Sequence, residues 1–154
     1  ELYTLADASF DLVIANYVPM DIPDLHGTMH AFHRVLKPDG LAVLLFSHPC
    51  FPQGRATVSE DSEEVCYTWH FSYFESRTCI DPPWAHFTSE FIWFHRPLSD
   101  YWKACKAAGF VVVDFEEPRI MVDRYHLAKP ARQLKDCQTY PASVAFKLQK
   151  PKAA

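Results

Sequence analysis

The sequence predicts an α/β protein that contains part of an open, largely parallel sheet. An apolar strand at residues 10–17 is followed by an amphipathic helix and by a second apolar strand at residues 41–47. Such a strand–helix–strand unit places its two strands side by side and parallel. Apolar runs at residues 110–115 and 143–148 predict two further strands, after a long insertion and a second helix.

The first strand contains a continuous apolar run at residues 12–14, which predicts a strand covered on both faces. We expect the next helix to begin at Asp21, a common capping residue type, with Pro23 in its first turn. The Pro-Asp-Gly sequence at residues 38–40 predicts a tight turn that ends this helix. Its apolar positions share the spacing of one helical face: Leu25, Met29, Phe32 and Leu36.

Residues 52–95 interrupt the pattern and are rich in aromatic side chains and proline. A stretch this long that begins at the carboxyl end of a strand predicts a lid or binding insertion. Within it, residues 68–74 alternate roughly and predict a strand or hairpin arm. Regular structure returns with a helix at residues 98–108 that ends at Gly109. Its apolar side contains Leu98, Trp102, Cys105 and Ala108.

Composition excludes several classes of function. The net charge is -4, and there is no run of Lys or Arg, so nucleic acid and anionic membranes are not expected as partners. The longest apolar stretch, residues 41–46, is too short to span a bilayer. Five cysteines without CxxC spacing indicate a reducing compartment, so we expect a cytoplasmic protein. No repeat or linker divides the chain, and residues 1–154 are expected to form a single domain.

Several segments resemble motifs of the class I S-adenosylmethionine-dependent methyltransferases, in family order. Residues 5–13 (LADASFDLV) resemble the approach to the fourth strand of that fold, and residues 34–40 (RVLKPDG) resemble the turn before its fifth strand. The chain departs from the family pattern at Thr4, where Pro is common, and at Asp39, where Gly is common. Later segments resemble a type 11-like subgroup: residues 46–51, 94–101, 108–110 and 117–118. Residues 141–150 resemble the final strand of the family fold.

The resemblance implies part of a Rossmann-like methyltransferase sheet, equivalent to strands 4 to 7, with residues 52–95 as an aromatic lid insertion. The N-terminal half is expected to be missing, because the sequence has four glycines and no GxGxxG turn. The implied cofactor is S-adenosyl-L-methionine. The implied function of the full-length protein is methyl transfer to a small-molecule acceptor, and the 154-residue chain alone is expected to be inactive.

The residues that follow the first strand are the candidates for donor binding. The resemblance places Asn16, Tyr17 and Met20 under the methionine part of the donor. Asn16 could offer its amide to the donor's carboxylate or ammonium group, or it could cap a turn at the end of the strand. Met20 could contact the donor or fill the core.

His48 is the candidate catalytic residue, as a general base. It follows the second strand at the expected mouth of the site, and an unperturbed imidazole has a pKa of about 6.5. The alternative is a turn histidine before Pro49. Cys50 lies close by in the sequence, but a thiol nucleophile is not supported.

Residues of the insertion and of its C-terminal border are the candidates for acceptor binding. Arg96 could clamp a substrate carboxylate, or it could pair with Asp100 one helical turn further on. His95 lies beside it. Tyr73 and Trp93 could form walls of an acceptor site, or they could pack the insertion itself.

Three histidines share one helical stripe: His26, His30 and His33. No HExxH motif or nearby cysteine pair completes a metal site, so we predict histidines on a solvated face and no metal.

Two rival hypotheses stay open. The chain could be a non-catalytic or truncated Rossmann-like binding or interaction module, and the exposed edge of its first strand would then favour a homo-oligomer. A dehydrogenase-type nucleotide domain is a weaker alternative, because no YxxxK pair is present and an antiparallel final strand suits methyltransferases better by resemblance.

Overall fold

The structure, a computed structural model, describes residues 2–51, 54–58, 65–83, 88–119 and 140–152. Its centre is a sheet of four strands: β1 (Phe10–Asn16), β2 (Leu36–Ser47), β7 (Val111–Glu116) and β8 (Ser143–Gln149). Their order across the sheet is β1-β2-β8-β7. β1 and β2 are parallel neighbours, as predicted, and β8 lies antiparallel between β2 and β7.

The hydrophobic core lies on one face of this sheet. Helices α1 (Leu25–Val35) and α2 (Leu98–Ala107) both contribute to it. Alternate residues of the two central strands point into the core because side chains alternate along a strand. We call this the covered face, and its central residues are Ala42, Leu44, Phe46, Val144, Phe146 and Leu148.

The opposite face carries apolar side chains as well. We call it the open face, and define it by Leu12, Ile14, Leu41, Val43 and Leu45. The prediction that β1 is covered on both faces is wrong for the chain as described, because Leu12 is 48% and Ile14 is 66% exposed. β1 lies at an edge of the sheet, and both described helices pack on the covered face.

Helix α1 begins later than predicted. Its N-cap is Asp24 rather than Asp21, and the Asp24 carboxylate accepts a hydrogen bond from the backbone N–H of Gly27 at 2.9 Å. Asp24 rather than Asp21 caps the helix because it lies three residues before an unpaired backbone N–H of the first turn, which is the usual spacing for an N-cap. The predicted buried face is confirmed by four buried side chains: Leu25, Met29, Phe32 and Leu36.

Residues 38–40, predicted to form a turn before the second strand, lie within β2, at an irregularity of that strand. The register of β1 against β2 shifts between Phe10 and Leu12, and Asp39 adopts a left-handed backbone with φ of 69°. A Cβ at Gly40 would lie 2.8 Å from the Lys37 carbonyl oxygen, so only glycine fits there. The backbone of Lys150 exchanges two hydrogen bonds with Asp39 and Gly40, which joins this irregularity to the chain after β8.

The insertion contains two antiparallel hairpins in its described part. β3 (Gly54–Val58) pairs with β4 (Val65–Trp69), and β5 (Arg77–Asp81) pairs with β6 (Phe91–His95). The strand expected at residues 68–74 is therefore correct only at its start. The sequence also predicts a loop with one possible short helix at residues 119–141, and this segment lies mostly outside the described residues.

Helix α2 ends as predicted. Gly109 has φ of 93°, and the N–H groups of Gly109 and Phe110 donate to the carbonyls of Lys106 and Cys105 in a Schellman arrangement. The predicted buried side is partly wrong, because Trp102 is 43% exposed. Tyr101 takes the core position instead, and its ring stacks on Phe46 at 4.3 Å.

Candidate functional site

A cavity of about 150 Å³ lies where the carboxyl ends of β1 and β2 meet the β5–β6 hairpin. Ligands in open α/β sheets bind outside the carboxyl ends of the strands, so this is the expected position for a site. Most of its wall is aromatic or otherwise apolar. The lining residues are Met20, Ser47, Pro49, Asp81, Phe91, Trp93, Phe94, His95, Arg96 and Tyr101.

The β5–β6 hairpin is fixed to the segment that follows β1. The backbone N–H of Phe94 donates to the Met20 carbonyl at 2.8 Å. Nη2 of Arg96 donates to the carbonyl oxygens of Ile22 and Pro23 at 2.7 and 2.8 Å. The hairpin therefore forms one wall of the cavity, and the segment after β1 forms another.

Asp81 and Trp93 form a pair on one face of this hairpin. Asp81 stands opposite Phe91, and Trp93 stands opposite Cys79, so the two side chains are diagonal neighbours. Nε1 of Trp93 donates to Oδ2 of Asp81 at 3.0 Å. Asp81 is not among the predicted site residues, because only the hairpin register brings it beside the predicted residue Trp93.

Arg96 lines the cavity, but its guanidinium is largely engaged. Nη2 holds two backbone carbonyls, and the guanidinium lies 5.1 Å from the centre of the Phe94 ring. Nη1 of Arg96 and Oδ1 of Asp21 are buried without a hydrogen-bond partner among the described residues. Asp100 pairs with Lys103 at 3.6 Å, so the predicted alternative of an Arg96–Asp100 pair is not formed.

Tyr101 lies beside Arg96 at the base of the cavity. Burial raises the pKa of the Tyr101 hydroxyl, and the neighbouring guanidinium of Arg96 partly offsets that rise. The hydroxyl therefore stays protonated near neutral pH and offers the cavity a polar group without a charge.

His48 continues the covered face beyond the end of β2 and is 5% exposed. Its Nε2 lies 3.0 Å from Oε1 of Glu117, and its Nδ1 accepts the backbone N–H of Cys50 at 3.2 Å. These two contacts assign the proton to Nε2, which donates to the carboxylate. Burial lowers the pKa of His48, and Glu117 partly offsets that effect.

His95 and Tyr73 connect the hairpin to helix α2. Buried His95 lies with Nε2 2.9 Å from the carbonyl oxygen of Tyr73. The Tyr73 hydroxyl accepts the backbone N–H of Leu98, the first residue of α2, at 2.8 Å. His95 lines the cavity and Tyr73 does not, so the structure brings together only some of the predicted acceptor residues.

Asn16 and Tyr17 lie at the carboxyl end of β1, and both are exposed. Tyr17 adopts a left-handed backbone with φ of 52°, and its N–H donates to the Leu45 carbonyl at 2.6 Å. Its hydroxyl is hydrogen bonded to Oγ of Ser143. A non-glycine residue in this conformation costs about 1–3 kcal/mol and is typical of ligand-binding positions.

The three histidines of α1 do not meet in one site. His33 packs its ring edge-on against Phe110 at 5.2 Å. No cluster of three or more potential metal ligands exists within the part of the chain that the structure describes. Burial raises the pKa of the Cys50 thiol, which leaves it a poor nucleophile.

Comparisons with known proteins agree with this topology. Residues 1–44 match a family described as "Methyltransferase domain". A S-adenosylmethionine-dependent methyltransferase from Mesorhizobium loti superposes with a TM-score of 0.73 at 18% identity, over 94% of this chain and 63% of that one. A protein from Listeria monocytogenes, assigned to the same class, superposes with a TM-score of 0.71 at 16% identity, over 95% and 63%. A comparison with curated proteins finds no match.

The fold is that of the S-adenosylmethionine-dependent methyltransferases. The predicted fold class, with strands equivalent to strands 4 to 7, is thereby confirmed. The chain spans 63% of the length of these two methyltransferase structures. Neither helix among the described residues has the length and apolar content needed to cross a membrane.

The end of β1 carries groups that would suit the methionine part of a sulfonium donor, although of the three predicted donor residues only Met20 lines the cavity. Asn16 supplies an exposed amide, the positive φ of Tyr17 turns the chain at the strand end, and Met20 lines the cavity beside it. No described residue is assigned to the ribose or the adenine of such a donor.

Proposed function

We propose that the protein transfers a methyl group from S-adenosylmethionine to a small-molecule acceptor held in the cavity. The observation that carries this proposal is the position of the cavity in a methyltransferase fold, at the carboxyl ends of two adjacent parallel strands. When bound, the donor supplies an activated methyl group, so the protein mainly positions the two reactants.

Asn16, Tyr17 and Met20 are proposed to hold the donor. The Asn16 side chain can bond a charged group, because it is exposed at the strand end. Met20 lines the cavity, where its flexible thioether can pack against donor and acceptor alike.

Trp93, His95 and Arg96 are proposed to contact the acceptor, since all three line the cavity. Tyr73 is proposed to act by holding the start of α2 in place. The role of His48 as a base stays a prediction. Both ring nitrogens of His48 are already hydrogen bonded, which argues against the role of a base. A proton could reach Nδ1 only if the hydrogen bond from the Cys50 backbone N–H were broken.

The experiment is titration calorimetry of the full-length protein with S-adenosylhomocysteine, and with NAD⁺ in a parallel titration. We expect heat with the first and none with the second. Asn16→Ala should weaken binding about tenfold, because a hydrogen bond to a charged group is lost. The control is Asp11→Asn, at the other end of the same strand, which should leave binding unchanged. Absence of heat with S-adenosylhomocysteine would contradict the proposal.

A further inference from the structure

The cavity has two formally charged side chains in its described wall, Asp81 and Arg96. Burial lowers the pKa of the His95 imidazole, which also lines the cavity and is therefore neutral near neutral pH. If an acceptor can reach Asp81, the cavity suits a positively charged group. If it can reach Arg96, the cavity suits a negatively charged group.

The Arg96 guanidinium is poorly available to an acceptor. One terminal nitrogen is held by two backbone carbonyls at 2.7 and 2.8 Å. The other, Nη1, has almost no accessible surface. A carboxylate in the cavity could bind it only after the hairpin moved away from the Ile22–Pro23 carbonyls.

The Asp81 carboxylate is available. The residue is exposed, and within the described residues its carboxylate accepts one hydrogen bond, from the Trp93 indole to Oδ2. A carboxylate has about four lone-pair positions, so the described part of the chain uses only a minor share of its capacity to accept hydrogen bonds. The indole bond holds the carboxylate beside the ring of Trp93, which is itself part of the cavity wall.

The rest of the wall suits a positive charge. The faces of aromatic rings attract cations, and four aromatic residues line the cavity: Phe91, Trp93, Phe94 and Tyr101. The volume of about 150 Å³ equals that of an engineered apolar cavity that holds benzene, so a group about the size of one ring fits.

We propose that the acceptor is a small amine whose apolar part is about one ring in size and whose nitrogen is bound as an ammonium by Asp81 at the cavity mouth. The ammonium passes one proton through the exposed Asp81 carboxylate to solvent, which frees the nitrogen lone pair. That lone pair would form the new N–C bond as the bond between the methyl group and the donor sulfur breaks. This inference rests on the proposed function, since it names the acceptor class for the same site. Asp81 is then the residue that selects amines over alcohols and carboxylates, and Trp93 orients it.

Three probes of similar size test the selection: benzylamine, benzyl alcohol and benzoate. Their binding to the intact protein is followed through the indole N–H resonance of Trp93, assigned with Trp93→Phe. We expect benzylamine to bind at least about tenfold more tightly than benzoate, with benzyl alcohol between them. Asp81→Asn should weaken benzylamine binding about tenfold and leave benzyl alcohol unchanged, because the amide oxygen still accepts the indole hydrogen bond.

The matched control is Asp100→Asn, which removes a carboxylate that pairs with Lys103 outside the cavity and should not alter binding. Equal or tighter binding of benzoate, no effect of Asp81→Asn, or no binding of any probe would overturn the inference. The heat of S-adenosylhomocysteine binding is measured on the same samples. Donor binding without amine selection rejects the acceptor class alone, and amine selection without donor binding rejects the methyl-transfer function alone.

Discussion

The two faces of the central sheet carry similar side chains and have opposite surroundings. On the covered face, Phe46 has no exposed surface, whereas Ile14 on the open face is 66% exposed. Phe46 lies in β2 and Ile14 lies in β1, its parallel neighbour, and each residue is part of an apolar run. The difference teaches that apolar content places a residue in a strand, while the helices that pack on the sheet decide whether it is buried. Three predictions test this difference.

The largest effect is expected on the covered face. Phe46→Ala removes a fully buried ring that stacks on Tyr101 and meets Phe146 edge-on at 5.7 Å. It should lower the free energy of unfolding by about 3–5 kcal/mol, measured by denaturant titration. The control is Leu12→Ala on the open face, where the side chain is 48% exposed and the loss should be about 1 kcal/mol. Equal losses at the two positions would contradict the difference between the faces.

A smaller effect, dependent on pH, is expected where the covered face ends at His48. Because burial lowers the pKa of His48, the unfolded chain binds its proton more readily. The neutral, buried His48 ring therefore contributes to the free energy of unfolding. This contribution is complete above the unfolded pKa of about 6.5 and is lost as the pH falls below that value. Glu117 raises the pKa of His48, so Glu117→Gln should lower this pKa further and enlarge the loss in acid.

The measurement is an NMR titration of the His48 ring together with denaturant unfolding at about pH 8 and about pH 5.5. At the higher pH the variant should be within about 0.5 kcal/mol of the parent, because the Gln oxygen still accepts the Nε2 hydrogen. A His48 pKa that is unchanged or raised in Glu117→Gln would show that the carboxylate does not act on the ring.

The smallest effect is expected on the open face. Ile14→Thr keeps the branched shape suited to a strand and removes apolar surface that already contacts water. The free energy of unfolding should change by about 0.5 kcal/mol or less. A loss of about 2 kcal/mol or more would show that this face is covered in the protein, and it would remove the contrast with Phe46.

Local chemistry was enough to predict most of the regular elements. The spacing of Leu25, Met29 and Phe32 gave the buried side of α1, and Gly109 marked the end of α2. The choice between Asp21 and Asp24 as a cap could not be made from residue type, because both are aspartates a few residues before the apolar face. It depends on which carboxylate reaches a free amide, and that is a property of the folded backbone.

The candidate site was predicted less completely. Met20, Trp93, His95 and Arg96 could be selected because they border strands or the insertion, and all four line the cavity. Asp81 and Glu117 could not be selected in the same way. Asp81 reaches Trp93 only through the register of a hairpin, and Glu117 reaches His48 only through a contact 69 positions apart in the chain. Long-range pairs of this kind leave no periodic signal in a single sequence.

The place of β8 bears on how the sheet can form during synthesis. β8 follows every strand it joins in the chain, yet it lies between β2 and β7. Those two strands are therefore held apart, with unpaired backbone on their facing edges, until the ribosome has released the segment that fills the gap. Since unpaired strand edges favour aggregation, a nascent chain that stalls before Ser143 would expose two of them at once.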